Sequence, residues 1–284
     1  MTRTIATLPG PTPVPVTVVI PTLNEEDRLP GCLASLWWAS EIIVADANST
    51  DGTRDIARRF GAQVLEGCGP TIADQKNAAI ARAKHRWVLS VDADERAAEE
   101  LGSEVAVIVA APTAQAYRIQ MRNRYLGGPY ELGGWSRDWH IRLYPSSARW
   151  TSQRVHERLE VEGPVADLRA RLEHESYRDL AHQLEKGHRY SVWGAQDLFA
   201  KGRTVRVSDM VFRPAWRFMK TYLLEGMWRE GVRGFVFAAV HAWCGFTKYA
   251  LLWDEQRKQH ASMVAEQAHL MMETSLEAPM SSAH

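Results

Sequence analysis

Trp87-Val-Leu-Ser-Val-Asp-Ala-Asp-Glu95 opens as an uncharged, largely apolar run and closes on three acids. Such a run suits a strand buried on both faces, the kind found in parallel sheets. Upstream, Val16-Thr-Val-Val-Ile20 is a second β-branched run, stopped by Pro21, and Glu41-Ile-Ile-Val-Ala45 is a third, with Asp46 at its carboxyl end. Between these runs, residues 29–39 read as a helix with Leu29, Cys32, Leu33 and Leu36 on one face. Residues 51–60 and 72–83 read as further helices, and 62–65 as a short strand. This βαβα order predicts an α/β fold with a mostly parallel sheet.

Ligands bind such sheets beyond the carboxyl ends of the strands. The polar clusters at 21–26, 46–53 and 92–95 all fall there. Downstream, a helix is expected to about residue 110, strands near 116–121 and 141–144, and a Gly/Trp-rich loop over 127–139. From residue 177 the pattern turns helical. The expected organisation is a disordered lead at 1–15, an α/β domain at 16–176, a helical region at 177–256 and a tail at 257–284.

With 34 basic and 34 acidic residues among 284, no net charge calls for nucleic acid. Cys32, Cys68 and Cys244 form no CxxC pair and no zinc-ligand spacing, so a reducing cytosol is expected. Residues 1–15 carry four prolines and no continuous apolar segment, unlike a signal peptide.

If the strand ran on through residue 94, Asp92 and Asp94 would point to one side and Ala93 to the other. Two such carboxylates can hold a hard divalent cation whose remaining ligands are water and substrate phosphates. Residues 46–53 fail as a calcium loop, because Asp51 stands where glycine is required and Ala57 where a bidentate acid is required. That turn is expected to cap the next helix through Ser49 or Thr50 and to leave Asp46 free for a ligand N–H. No GxGxxG follows the first strand and no P-loop occurs. Phosphate binding then falls to a cation such as Lys76, whose alternative is a solvated surface lysine.

The ordered set Pro21-Thr-Leu-Asn-Glu-Glu26, Asp46-Ala-Asn-Ser-Thr-Asp-Gly-Thr53, Gln75-Lys-Asn77 and Ser90-Val-Asp-Ala-Asp-Glu95 resembles glycosyltransferase family 2 and its GT-A, Rossmann-like fold. The resemblance continues through Gly133-Gly-Trp-Ser-Arg-Asp138, Val155-His-Glu157 and His174-Glu-Ser-Tyr177. Residues 214–220 and 234–249 are similar to the branch that glucosylates the heptose of the lipopolysaccharide inner core. It implies that Pro21, Thr22, Asn24 and Glu25 wall the nucleoside and that Asp46 meets the uracil edge. It further implies Lys76 at the ribose or phosphates, Asp92 at the ribose, Asp94 at a Mg or Mn ion, and Asp138 as catalytic base. Relatives more often carry Gly or Ser where Ala47 and Asn48 stand. His156, beside Glu157, is a second candidate metal or phosphate ligand, with a loop-tying role as the alternative. His174 reads as structural.

Residues 201–250 hold nine Lys or Arg against three acids, interleaved with Trp216, Trp228 and Trp243. Cations beside tryptophans suit a helix lying in a membrane interface, the alternative being a packed helical subdomain. The expected activity is inverting transfer of a sugar, glucose by the resemblance, from a UDP-sugar to a lipid-linked saccharide on the cytoplasmic membrane face. The competing readings are a nucleotidyltransferase, disfavoured by the acidic loop after the first strand, and a silent membrane-docking scaffold.

Overall fold

A computed structural model of the chain describes residues 12–69, 71–130, 132, 138–151 and 158–276, with side chains through residue 267. It divides into two compact units after Ser176. The first contains β1 (Val14–Thr22), α1 (Leu29–Ser35), β2 (Ala39–Asp46), α2 (Thr53–Arg59), β3 (Gln63–Glu66), α3 (Ile72–Ile80), β4 (Trp87–Ser90) and β5 (Glu95–Ala97). It continues with α4 (Leu101–Ala110), β6 (Ala116–Tyr125), β7 (Gly128–Pro129), β8 (Trp139–Pro145), β9 (Arg149–Thr151), β10 (Arg158–Glu160) and β11 (Val165–His174).

The main sheet runs β3-β2-β1-β4-β8-β6-β11-β5, with β7 paired to β6, while β9 and β10 pair separately. Its first four strands are parallel. β8 then runs antiparallel to both β4 and β6, and β11 is parallel to β6. Burial on two faces explains the apolar β1. Val16, Val18 and Ile20 pack with Leu29, Cys32, Leu33, Leu101 and Val105, while Val19 packs with Ile43, Ala79 and Ile80. Each such side chain contributes about 1.5–3 kcal/mol. Helix α1 stops at Ser35, short of the expected 39, because Leu36 N–H bonds back to Leu33 O at 3.1 Å and Trp38 turns inward. The Trp38 ring leaves no space for a Cβ at Gly102.

The second unit holds α5 (Leu180–Ala200), α6 (Val207–Met219), a π-helical turn (Lys220–Leu224), a 3-10 turn (Met227–Glu230) and α7 (Gly231–Leu276). Asp179 caps α5 by accepting the His182 N–H at 2.8 Å. Ser191 of α5 donates to Cys244 O of α7 at 3.0 Å. Helix α7 passes well beyond residue 256, where the sequence suggested the start of a tail. Arg257 and Lys258 pair with Asp254 at 3.0 and 2.8 Å at helical spacing, which supports the extension. Residues Met227–Gln267 include a stretch long and apolar enough to cross a membrane by length and composition, with mean hydropathy 1.3.

Candidate active site

The parallel register sets Pro21 beside Ala45 and Thr22 beside Asp46, so two polar strand ends meet. Side chains then lace the loops together. Asn24 N–H donates to Ser49 Oγ and Thr50 N–H donates to Asn24 Oδ1, both at 2.8 Å. Glu25 N–H donates to Thr53 Oγ1, and Gly52 N–H to Glu26 Oε2, again at 2.8 Å. Asn24 and Asn48 both adopt positive φ, +56° and +65°. Asparagine tolerates that region better than most non-glycine residues, so Asn48 serves where relatives use glycine.

Two expectations are corrected here. Ser49 and Thr50 do not cap α2; Asp51 accepts the Thr53 N–H at 3.0 Å and Glu26 holds the Gly52 N–H. Nor is Asp46 free. Its fully buried carboxylate accepts Ser49 N–H at 2.8 Å, Thr22 Oγ1–H at 3.1 Å and the Ser49 hydroxyl. Turn formation outcompetes exposure, because a buried carboxylate must be supplied with donors.

The acidic segment also departs from expectation. β4 ends at Ser90, and residues 92–95 form a turn closed by Glu95 N–H to Asp92 O at 2.9 Å. Asp92 and Asp94 therefore do not alternate along a strand, and each meets its own partners. Asp92 lies 2.9 Å from Arg142 Nη2 and 3.6 Å from Lys76 Nζ. Arg142, buried on β8, also bonds Glu95. Burial opposes ionisation of Asp92, yet Arg142 and Lys76 outweigh it and hold the carboxyl far below the usual range. Burial pushes the Glu95 carboxyl up, with Asp92 adding to the effect against the pull of Arg142.

Lys76 is buried, not a surface lysine. Its Nζ sits 4.4 Å from the centre of the Trp150 ring, and Trp150 is fixed by a pair of bonds with Asn77 at 2.8 and 2.9 Å. Asp94, 14% exposed at its side chain, lies 3.3 Å from Arg28 Nη1 and 3.6 Å from His174 Nε2. His174, which the sequence suggested was structural, thus stands at the acidic turn. Burial favours its neutral form, but the adjoining Asp94 carboxylate outweighs this and raises its pKa.

Asp138 precedes β8, and its carbonyl accepts the Met121 N–H at 2.8 Å. His140 Nε2 lies 2.7 Å from Oδ1, and Asn123 Nδ2 donates to Oδ2 at 3.1 Å. Burial would raise this carboxyl; those two partners hold it below its ordinary value. Asn123 Oδ1 in turn lies 2.7 Å from His174 Nδ1, so a short chain of contacts joins Asp138 to Asp94.

The structure thus groups Thr22, Asn24, Glu25 and Asp46 in one pair of loops, Lys76 with Asp92, and Asp94 with His174. His156 and Glu157 lie outside the described residues. Sequence reasoning passed over Arg28, Asn123, His140 and Arg142. Asp138, His140 and Arg142 recur at every second position, and a charge inside the apolar Ile141-Arg-Leu-Tyr144 was the signal available for the last of them.

Among the described residues, no group of three or more His, Cys, Asp or Glu is arranged to hold a metal ion. A divalent cation bound mainly by phosphates and water needs only one or two carboxylates, and the acidic turn offers that many. Asp94 fits better than Asp92, because its cationic partners stand farther off and Asp92 is closed by Arg142.

Residues 17–156 match the model of a family described as glycosyl transferase family 2. Over 254 residues the chain is 29% identical to lipopolysaccharide core biosynthesis glycosyltransferase LpsC of Rhizobium meliloti, covering 85% of this chain and 93% of that one. It is 28% identical over 251 residues to an uncharacterized glycosyltransferase of Rickettsia typhi, covering 84% and 86%. A crystal structure of glucosyl-3-phosphoglycerate synthase from Mycobacterium tuberculosis, in complex with Mn2+, UDP and phosphoglyceric acid, shares 22% identity at a TM-score of 0.33, over 40% of this chain and 44% of that one.

Proposed function

This chain belongs to glycosyltransferase family 2 and carries its GT-A domain, and from that premise we propose inverting transfer of glucose from UDP-glucose to a saccharide hydroxyl. The acceptor proposed is a lipid-linked lipopolysaccharide core heptose. The observation that carries this reading is the acidic turn, with buried Lys76 beside it, at the carboxyl end of a parallel strand.

In the proposed reaction Asp138 accepts the proton of the acceptor hydroxyl as that oxygen bonds to the anomeric carbon. The bond from that carbon to the diphosphate breaks on the opposite face, and UDP leaves with the electron pair. A single displacement inverts the centre. A carboxyl held below its ordinary pKa is ionised at neutral pH, as a base must be. Pro21, Thr22, Asn24 and Glu25 wall the nucleoside; Asp46 shapes that wall by ordering residues 46–53, and Asp92 lies on the ribose side. Lys76 brings positive charge toward the leaving phosphates. Asp94, with His156 as a second candidate, would hold a Mg or Mn ion, which supplies Lewis-acid stabilisation of the departing diphosphate.

Asp138→Asn keeps the side chain's shape and removes the basic oxygen. It should lower kcat by about 10²- to 10⁴-fold and leave donor affinity nearly unchanged. A kcat close to wild type would remove Asp138 from the role.

A lipid-linked acceptor requires work at a membrane surface, and α6 supports that placement. Its inward side carries buried Pro214, while Phe212, Trp216 and Met219, spaced four and three residues apart, are 71, 62 and 46% exposed. Arg213 and Lys220 flank this apolar row. Apolar side chains entering the headgroup boundary beside cations suit peripheral attachment to the anionic cytoplasmic face.

A further inference from the structure

We propose that Asn123 is a positioning residue: one buried amide on β6 aligns the Asp138 carboxylate and the His174 ring together. The proposal rests on Asp138 being the base of the proposed reaction.

An amide has a donating end and an accepting end, and here the two face different partners. Asp138 as a carboxylate only accepts, so the NH2 of Asn123 must point to Oδ2, at 3.1 Å. The flip is thereby settled, and Oδ1 faces His174 Nδ1 at 2.7 Å. That nitrogen must carry a hydrogen, which turns Nε2 toward Asp94 at 3.6 Å. Backbone pairing holds the arrangement. Asn123 and His174 are direct partners in the parallel register of β6 and β11, and Tyr130 N–H bonds to Asn123 O at 2.7 Å.

Asn123 is 1% exposed, where an apolar side chain would fill the same volume without needing partners. A buried amide there is stable only with its polar ends satisfied, so its identity is tied to the groups it joins. Asp138 is gripped at both oxygens, by His140 at Oδ1 and by Asn123 at Oδ2. Loss of one grip frees the carboxylate to rotate about its last bond. Small misplacements of a reacting group cost on the order of 10²-fold in rate.

The test compares Asn123→Asp, Asn123→Ser and Asp138→Asn in the full-length protein, using UDP release with acceptor and separate measurement of UDP-glucose binding. Asn123→Asp preserves shape and sets a second carboxylate against Asp138, so the pair retains a proton to higher pH. The acid limb of its kcat profile should move upward, beyond anything His140 and His174, the titratable groups facing Asp138, produce in the wild type. Asn123→Ser removes the reach of the amide without adding charge. It should lower kcat about 10- to 100-fold with unchanged donor affinity and no comparable pH displacement. Wild-type kcat and pH profile in both Asn123 variants, with Asp138→Asn impaired, would overturn this proposal alone. Full activity of Asp138→Asn would overturn it together with the assignment of the base.

Discussion

Asp92 and Asp94 lie two positions apart in one turn but are held differently. Asp92 is the counter-ion of two buried cations, Arg142 and Lys76, whereas Asp94 has looser contacts to Arg28 and His174. Asp92→Asn strips charge from the buried pair and should cost about 1–3 kcal/mol of stability. That is less than the 3–5 of a fully buried ion pair, because Asp92 is about a third exposed and Glu95 still meets Arg142. This contribution also has a pH signature. Asp92 is held below its unfolded value of 3.8, so its stabilisation is complete above that pH and is lost as pH falls further. Asp94→Asn should leave stability within about 1 kcal/mol of wild type while abolishing turnover. Urea unfolding of both variants checks this; a larger stability loss in Asp94→Asn would contradict the division of roles.

At the scale of elements, the central strands were legible because a strand covered by helices on both faces has little choice but Val and Ile. The acidic turn was legible as a site but not as a shape. Asp92 and Asp94 were placed by extending β4 two residues too far, and what ends the strand is the turn bond from Glu95 N–H. β11 was missed for a related reason. Its buried Leu168, Ala170 and Leu172 alternate with Asp167, Arg169, Arg171 and Glu173, and the charges mask the period of two. Its parallel partner, β6, lies some fifty positions earlier, and no local signal reveals that pairing. Arg142 and Asn123 became visible only when β8 and β6 stood side by side. The outward row of α6 makes a prediction of its own. Phe212→Ser with Trp216→Ser should remove the salt-resistant part of binding to anionic vesicles, and Arg213→Glu with Lys220→Glu the salt-sensitive part, at about 1 kcal/mol per cation. Sedimentation at low and high salt separates the two. If both double variants sediment like wild type, α6 is not the docking element.

For the molecule as a whole, an even charge count conceals a division of labour between an N-terminal unit bearing the acidic turn and a C-terminal unit rich in cations and exposed aromatics. A neutral balance excluded a nucleic-acid partner but said nothing of this asymmetry, which emerges only when charge is read segment by segment. The account makes the first unit a donor site that works with a divalent cation and the second an attachment device. The docking variants should therefore keep their activity toward a soluble acceptor analogue. The measurement that tests the central claim most directly is release of UDP from UDP-glucose by the full-length chain, with lipid-linked core saccharide as acceptor, in Mn²⁺ and in excess chelator. The account predicts acceptor-stimulated UDP release in Mn²⁺ that disappears with chelator and in Asp94→Asn. Absence of UDP release under any condition, or release that persists undiminished in chelator, would contradict it.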